Sequence, residues 1–161
     1  MTAWFGNALI WVRGFTYLLR MGKDGLKLAS QLAVLNANYI RAKLKDHYDI
    51  PYPDACMHEC VFSDHGFPGE VTTMEIAKRL IDYGFHPPTI YFPLVVHEAL
   101  MIEPTETETK ETLDRFAETM IRIAEEARTE PEKLRKAPTT TPVRRLDEVK
   151  AAKEPVVRWK A

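Results

Sequence analysis

Only two cysteines, Cys56 and Cys60, occur in 161 residues. A disulfide framework is thereby excluded as the organising principle, and a reducing, cytoplasmic setting is the expectation. Glycine is sparse too, at seven residues, and no stretch repeats it closely enough to cradle a phosphate. Neither sign of charge dominates, since 22 Lys and Arg face 23 Asp and Glu for a formal net charge of −1. A general attraction to nucleic acid or to an anionic membrane is not expected from that balance. G-x-S-x-G and dinucleotide-binding glycine fingerprints are also missing from the chain.

An uninterrupted apolar run of membrane-spanning length is likewise absent. "TAWFGNALIWVRGFTYLL" comes nearest, but Gly6, Asn7, Arg13 and Gly14 interrupt it. No basic segment precedes it and no small-residue cleavage site follows, so a signal peptide is not expected. The run reads as a core helix, and a helix apolar on nearly all sides needs neighbours on all sides.

What is present lays out an α+β chain. "MGKDG" (Met21–Gly25) breaks the first helix, and Asp24 is a candidate N-cap for a second, Gly25 to about His47. Leu28, Leu32, Leu35, Tyr39 and Ala42 would form its inner stripe. After a proline-marked loop, Cys56–Ser63 reads as a strand. Thr72 and Glu75 have the spacing of a capping box and open a helix that Gly84 closes. "TIYF" and "ALMI" read as two further strands. Thr105 and Glu108 form a second possible box, with Glu106, Glu108 and Glu111 crowding the first turn of the last long helix. Carboxylates there complement the helix macrodipole by about 0.3–1 kcal/mol each, so the acidic turn has a structural explanation. The inner stripe of that helix would be Leu113, Phe116, Ala117, Met120, Ile121, Ala124 and Ala127.

The expected architecture is a pair of N-terminal helices over residues 1–48, a small mixed sheet with helices on one face over 49–130, and a proline-rich extension over 131–161. Within the extension, Thr141 and Pro142 suggest an N-cap and first helical position for a helix running to about Lys153. Leu146, Val149, Val156, Val157 and Trp159 give this extension apolar positions suited to covering the domain or a partner subunit.

"CMHEC" is the one metal-like constellation. On a strand, Cys56, His58 and Cys60 would share a face, and two thiolates with an imidazole suit zinc. A structural zinc site requires a fourth ligand; no second pair is present, and His65 is the only nearby candidate. Cysteine also packs as a small hydrophobe. No metal is therefore assigned. The residues alone show no complete active site.

"HECVFS", "IAKRLIDYGFHPPTIYFPLVVHEALMIEPTETETKETLDRF" and "APTTTPVRRLDEVKAA" closely resemble the C-terminal part of glycine dehydrogenase (decarboxylating) subunit 2. "FGNALIWVRGFTYLLRMGKDGL" and "AVLNANYIRAKLKDHYD" resemble the same family. Its members are P-proteins of the glycine cleavage system, which are fold-type-I pyridoxal-phosphate enzymes. The resemblance implies the small C-terminal domain of such a fold. It also implies an enzyme that decarboxylates glycine and passes the aminomethyl group to the lipoyl arm of H-protein. The family's cofactor lysine lies in a His-Lys segment before a glycine-rich stretch, and this sequence has neither. The expectation is a chain that binds no pyridoxal phosphate covalently and is inactive alone. Its expected partners are P-protein subunit 1, the N-terminal part of subunit 2 and lipoylated H-protein, with glycine as substrate. By the same resemblance, "GFHPPT" and "EPTETE" are the segments expected to reach the site, with His86, Thr89 and Glu103 as candidate residues. No carboxylate-clamping arginine is assigned, because Arg79, Arg115 and Arg122 fall on helices. The alternative class is a freestanding, non-catalytic interaction or regulatory domain.

Overall fold

The capping box read at Thr72 and Glu75 is formed. The Thr72 hydroxyl accepts from the Met74 amide, and the Glu75 carboxylate accepts from the Thr72 amide at 3.0 Å. Two otherwise unpaired donors of the first turn are satisfied in this way. The computed structural model that shows this describes residues 6–69 and 71–158. Its elements are α1 (Ala8–Leu44), β1 (Cys60–Ser63), α2 (Thr73–Asp82), β2 (Thr89–Ile90), β3 (Ala99–Ile102), α3 (Lys110–Thr129), α4 (Pro131–Lys136) and α5 (Glu148–Lys153).

The sheet has the order β1-β3-β2, and both pairings are antiparallel. A mixed sheet was the expectation. The α2 crossover does set β1 and β2 parallel to each other, but β3 inserts between them and runs against both. Cross-strand registry puts Phe62 opposite Leu100 and Cys60 opposite Ile102. These four side chains form one face, which packs with Ile40 and Leu44 of α1, Ile76 and Leu80 of α2, and Met120 and Ala124 of α3. Val61 and Met101 alternate to the opposite face and are only half-buried.

Several expected boundaries shift for physical reasons. The strand expected from Cys56 starts only at Cys60, because β3 ends at Ile102 and Pro104 follows. The backbone of Cys56 instead pairs with a helix side chain. Asn38 donates to its carbonyl at 2.7 Å and accepts from its amide at 3.1 Å. The strand expected over "TIYF" keeps only Thr89–Ile90, since Tyr91 turns to φ 61°. Helix α3 is capped by Thr109 rather than Thr105, with only Glu111 of the three acidic residues in its first turn. The second helix has no separate Asp24 cap. The break falls on Gly22, whose φ of 60° and ψ of −175° interrupt an otherwise continuous α1. A side chain at that φ would be strained. The inner stripe of α1 is Asn36, Ala37, Ile40 and Leu44, whereas Leu28, Leu35 and Ala42 face outward.

The expected divisions at residues 48 and 130 do not divide the core. Ile40 and Leu44 of α1 and Leu134 of α4 belong to one cluster with the sheet. Helix α4 docks against α2 and α3. An ion network binds these elements together. Arg79 donates to both carboxylate oxygens of Glu126, at 2.8 and 3.0 Å, and to Asp82 at 3.2 Å. Asp82 also accepts from the backbone amides of Thr139 and Thr140 at 2.6 and 2.8 Å.

Further along, Arg145 donates to the carbonyls of Ala137 and Leu134, at 2.8 and 3.1 Å, and to Glu75 at 2.8 Å. This guanidinium closes the carbonyl end of α4. It also keeps residues 142–145 out of a helix, so the helix expected from Pro142 begins after Asp147. The Thr141 hydroxyl donates to the Val143 carbonyl instead of capping. Beyond that point Leu146, Val149, Val156 and Val157 are exposed, and Trp159 lies outside the described residues.

The first half of α1 is helical as expected but is not buried in this chain. Leu9, Ile10, Trp11, Val12, Phe15, Leu18 and Leu19 are all exposed, and Trp4 and Phe5 lie outside the described residues. No helix among the described residues is long and apolar enough to cross a membrane. A contiguous apolar face this large is rarely left in water by a monomer. The isolated chain is expected to self-associate and to bind an apolar dye, and replacing Trp11, Phe15 and Leu18 by serine together should abolish both. Sedimentation at rising concentration checks this, and a clean monomer without dye binding counts against it.

Candidate functional site

Helix α2 ends in a turn that aims the following loop. The amides of Gly84 and Phe85 return to the carbonyls of Ile81 and Leu80 at 2.9 and 3.1 Å, and Gly84 takes φ 79°. Phe85 then packs edge-on against Phe116 of α3, with centroids 5.3 Å apart. His86, Pro87 and Pro88 follow along the rim, and Thr89 enters the sheet opposite Met101. Two prolines in succession fix this path and donate no backbone hydrogen bond.

On the far side, β3 ends at Ile102 and Pro104 prevents its continuation. The chain from Glu103 to Glu108 makes an extra turn before the cap, with the Glu108 amide reaching the Thr105 carbonyl at 3.3 Å. Asn36 of α1 braces that turn by donating to the same carbonyl at 2.9 Å. Together the two segments and the first turns of α3 enclose a cleft of about 400 Å³. Its floor is apolar, from Phe85, Met101, Leu113 and Phe116. Its rim is polar, from His86, Thr89, Glu103, Thr105, Glu108 and Thr112.

All three residues singled out from the sequence, His86, Thr89 and Glu103, therefore line one cleft. Glu103 also lies 3.7 Å from His58 Nε2, so the "CMHEC" segment abuts this site through its histidine. Thr112 and Phe116 also line the cleft without being expected there, whereas Phe85 falls within the expected "GFHPPT" segment. Phe116 stands in the expected inner stripe of α3. Its place at the edge of that stripe, beside the first helical turn, was the available signal.

Hydroxyls, an imidazole and the amino end of α3 can hold a small polar or anionic group above an apolar floor. Among the described residues neither a lysine nor an arginine lines the cleft, and two carboxylates stand on its rim. Those residues do not fit the holding of pyridoxal phosphate, which needs a Schiff-base amine and donors for a phosphate.

The possible metal ligands diverge. Cys60 is buried in β1, its thiol directed at the Ile102 carbonyl at 3.7 Å. Burial, and next the neighbouring Cys56, push the Cys60 thiol far above its ordinary value, so it stays protonated. His58 faces Glu59 and Glu103. Among the described residues no group of three His, Cys, Asp or Glu is placed to hold a metal ion.

A second, shallower cleft of about 330 Å³ lies elsewhere, between Asp49, Tyr52, Asp64, His65 and the β2–β3 loop at Val95–His97.

Comparison with known proteins gives these features a context. Residues 29–144 match the family described as glycine dehydrogenase, C-terminal domain. The chain is 61% identical over 158 residues to the probable glycine dehydrogenase (decarboxylating) subunit 2 of Caldanaerobacter subterraneus subsp. tengcongensis, covering 98% of this chain and 33% of that protein. It is 57% identical over 159 residues to the protein of the same name from Desulforamulus reducens, covering 98% of this chain and 33% of the relative. The chain thus spans about a third of the length of the curated relatives it matches. A crystal structure of glycine decarboxylase (P-protein) of the glycine cleavage system, in inhibitor-bound form, superposes with a TM-score of 0.64 at 20% identity. That match covers 76% of this chain and 28% of the other, and it bears on the fold alone.

Proposed function

This chain belongs to the glycine dehydrogenase C-terminal domain family, and from that premise we propose that it forms the substrate-facing wall of a glycine-decarboxylating P-protein. The observation that carries the reading is the meeting of His86, Thr89 and Glu103 in one cleft with an apolar floor. Pyridoxal phosphate, when bound by the rest of such an enzyme, supplies the electron sink for decarboxylation. The cleft of this chain does not fit that cofactor, so its own contribution is to position and enclose. His86 and the hydroxyls of Thr89, Thr105 and Thr112 orient polar groups of the substrate. Phe85 and Phe116 exclude water beneath them. Glu103, held near His58, sets the charge at the rim. The setting is cytoplasmic, and the partners are the remainder of subunit 2, P-protein subunit 1 and lipoylated H-protein, whose arm takes the aminomethyl group.

The test is a chimera in which this chain replaces the matching third of the Caldanaerobacter subterraneus relative. Carbon dioxide released from carboxyl-labelled glycine is the readout. The chimera is expected to be active and the chain alone inactive. His86→Ala in the chimera should lower kcat/KM by about 100-fold, the scale of a lost positioning contact. Glu103→Gln, which keeps the size and removes the charge, should give a smaller loss. Unchanged kinetics in both variants would remove the cleft from the reaction. Turnover by the chain alone, with a borohydride-stable adduct on one lysine, would overturn the division of labour. A freestanding binding domain predicts an inactive chimera.

A further inference from the structure

The β2–β3 loop has a feature that the cleft does not use. Tyr91 and Glu98, neither of them glycine, bracket it with φ values of 61° and 46°. Left-handed residues of this kind are strained and persist where surrounding contacts over-determine them. Those contacts are present. The Tyr91 amide donates to the Ala99 carbonyl at 2.8 Å, and the Val96 amide donates to the Pro93 carbonyl at 3.0 Å. Glu98 accepts from the fully buried Thr73 hydroxyl at 2.9 Å. Yet the side chains this fixed loop presents are apolar and in water: Phe92 is 53%, Leu94 87% and Val95 80% exposed. Solvent gives no reason to hold a greasy tip in a strained, well-anchored conformation.

We propose that Phe92, Leu94 and Val95 form a docking knob that seats in the remaining two-thirds of its own subunit. This rests on the reading of the chain as one part of a larger enzyme. The occupant follows from three observations. The curated relatives are about three times as long as this chain. The knob lies within residues 29–144, which the family shares. Three side chains are also far fewer than the roughly 20–30 a side of a stable interface between separate chains, whereas a contact within one subunit carries no association cost. The second cleft, beside the knob, adds Asp49 and Asp64. The socket is therefore apolar and bordered by lysine, arginine or other hydrogen-bond donors.

Leu94→Cys in a Cys56→Ser background tests the proposal, with a maleimide as probe. Leu94 makes little contact within the chain, so the variant folds normally, and circular dichroism verifies that. The expected result is labelling at least about 10-fold slower in the chimera than in the isolated chain, because the knob is covered. Equal rates in the two overturn the proposal. Labelling that slows with rising concentration of the isolated chain assigns the knob to a second copy and overturns it as well. Carbon dioxide release by the same chimera reads the functional proposal separately, so an active chimera with an uncovered knob sinks only the knob.

Discussion

Arg79→Met should lower the unfolding free energy of this chain by about 3 kcal/mol, the scale for removing one partner of a buried ion pair. For a domain of this size the midpoint would fall by roughly 6–12 °C. The change leaves Glu126 and Asp82 facing each other's surroundings without their shared cation. Tyr83, which donates to Glu126 at 2.8 Å, cannot replace it. The pH dependence gives a second reading. Burial pushes Glu126 up, but the hydrogen bonds from Arg79 and Tyr83 outweigh it and hold the carboxyl below its ordinary value. Burial likewise pushes Asp82 up, and the donors from Thr140, Thr139 and Arg79 outweigh it. A carboxyl with a depressed folded value stabilises above its unfolded value of about 4 and loses that contribution as pH falls through the folded value. Denaturant titrations between pH 7 and pH 3 should show the native chain losing stability below about pH 4. The Arg79→Met chain should lose less over the same interval. A parallel pair of curves would mean that the network contributes nothing specific.

Removing the C-terminal segment in two lengths should give opposite results. Ending the chain before residue 146 takes away only exposed side chains among the described residues, and the expected change is within about 0.5 kcal/mol. Ending it before residue 131 removes Leu134 and Ala137 from the core and takes α4 off α2 and α3. Loss of the Leu134 side chain alone costs about 2–5 kcal/mol. Asp82 also loses the Thr139 and Thr140 amides. The shorter chain should therefore fail to fold at 37 °C, which near-ultraviolet circular dichroism would register. If it stays folded, α4 is an ornament on a self-sufficient sheet. The chain that ends before residue 146 bears on the apolar positions from Leu146 onward: if it stays folded but no longer assembles with a sister subunit, those positions belong to that partner.

Local chemistry was the legible part of this sequence. The Thr72–Glu75 box and the Gly84 turn each depend on residues a few positions apart, and both form. The inner stripe of α3 was largely readable because one face of a long helix repeats its signal. What failed had two competing local solutions. Thr105 and Thr109 both offer a hydroxyl before a helix, and the choice of Thr109 depends on Asn36, which is 69 residues away in sequence from Thr105. Cys56–Glu59 alternates like a strand, but alternation does not reveal where the partner strand stops. The stripe of α1 was misread because its most regular leucines, Leu28 and Leu35, are left facing outward. Of the site, the two segments that meet were legible through their resemblance to a family. Their meeting in a cleft came from the sheet register, which no local pattern contains.

That register also orders the events of folding. The central strand of the sheet is the last to appear in the chain, and its two neighbours have no ladder partner until it arrives. β2 and β3 are joined by a short loop and can pair early. β1 must hold its place over the 36 residues that separate Ser63 from its partner Ala99 before the nearest pair of the β1–β3 ladder can form. Pairings of long sequence separation are slow to find. Substitutions in β1 should therefore act mainly on the unfolding rate, whereas those in the β2–β3 hairpin should act on the rate of folding.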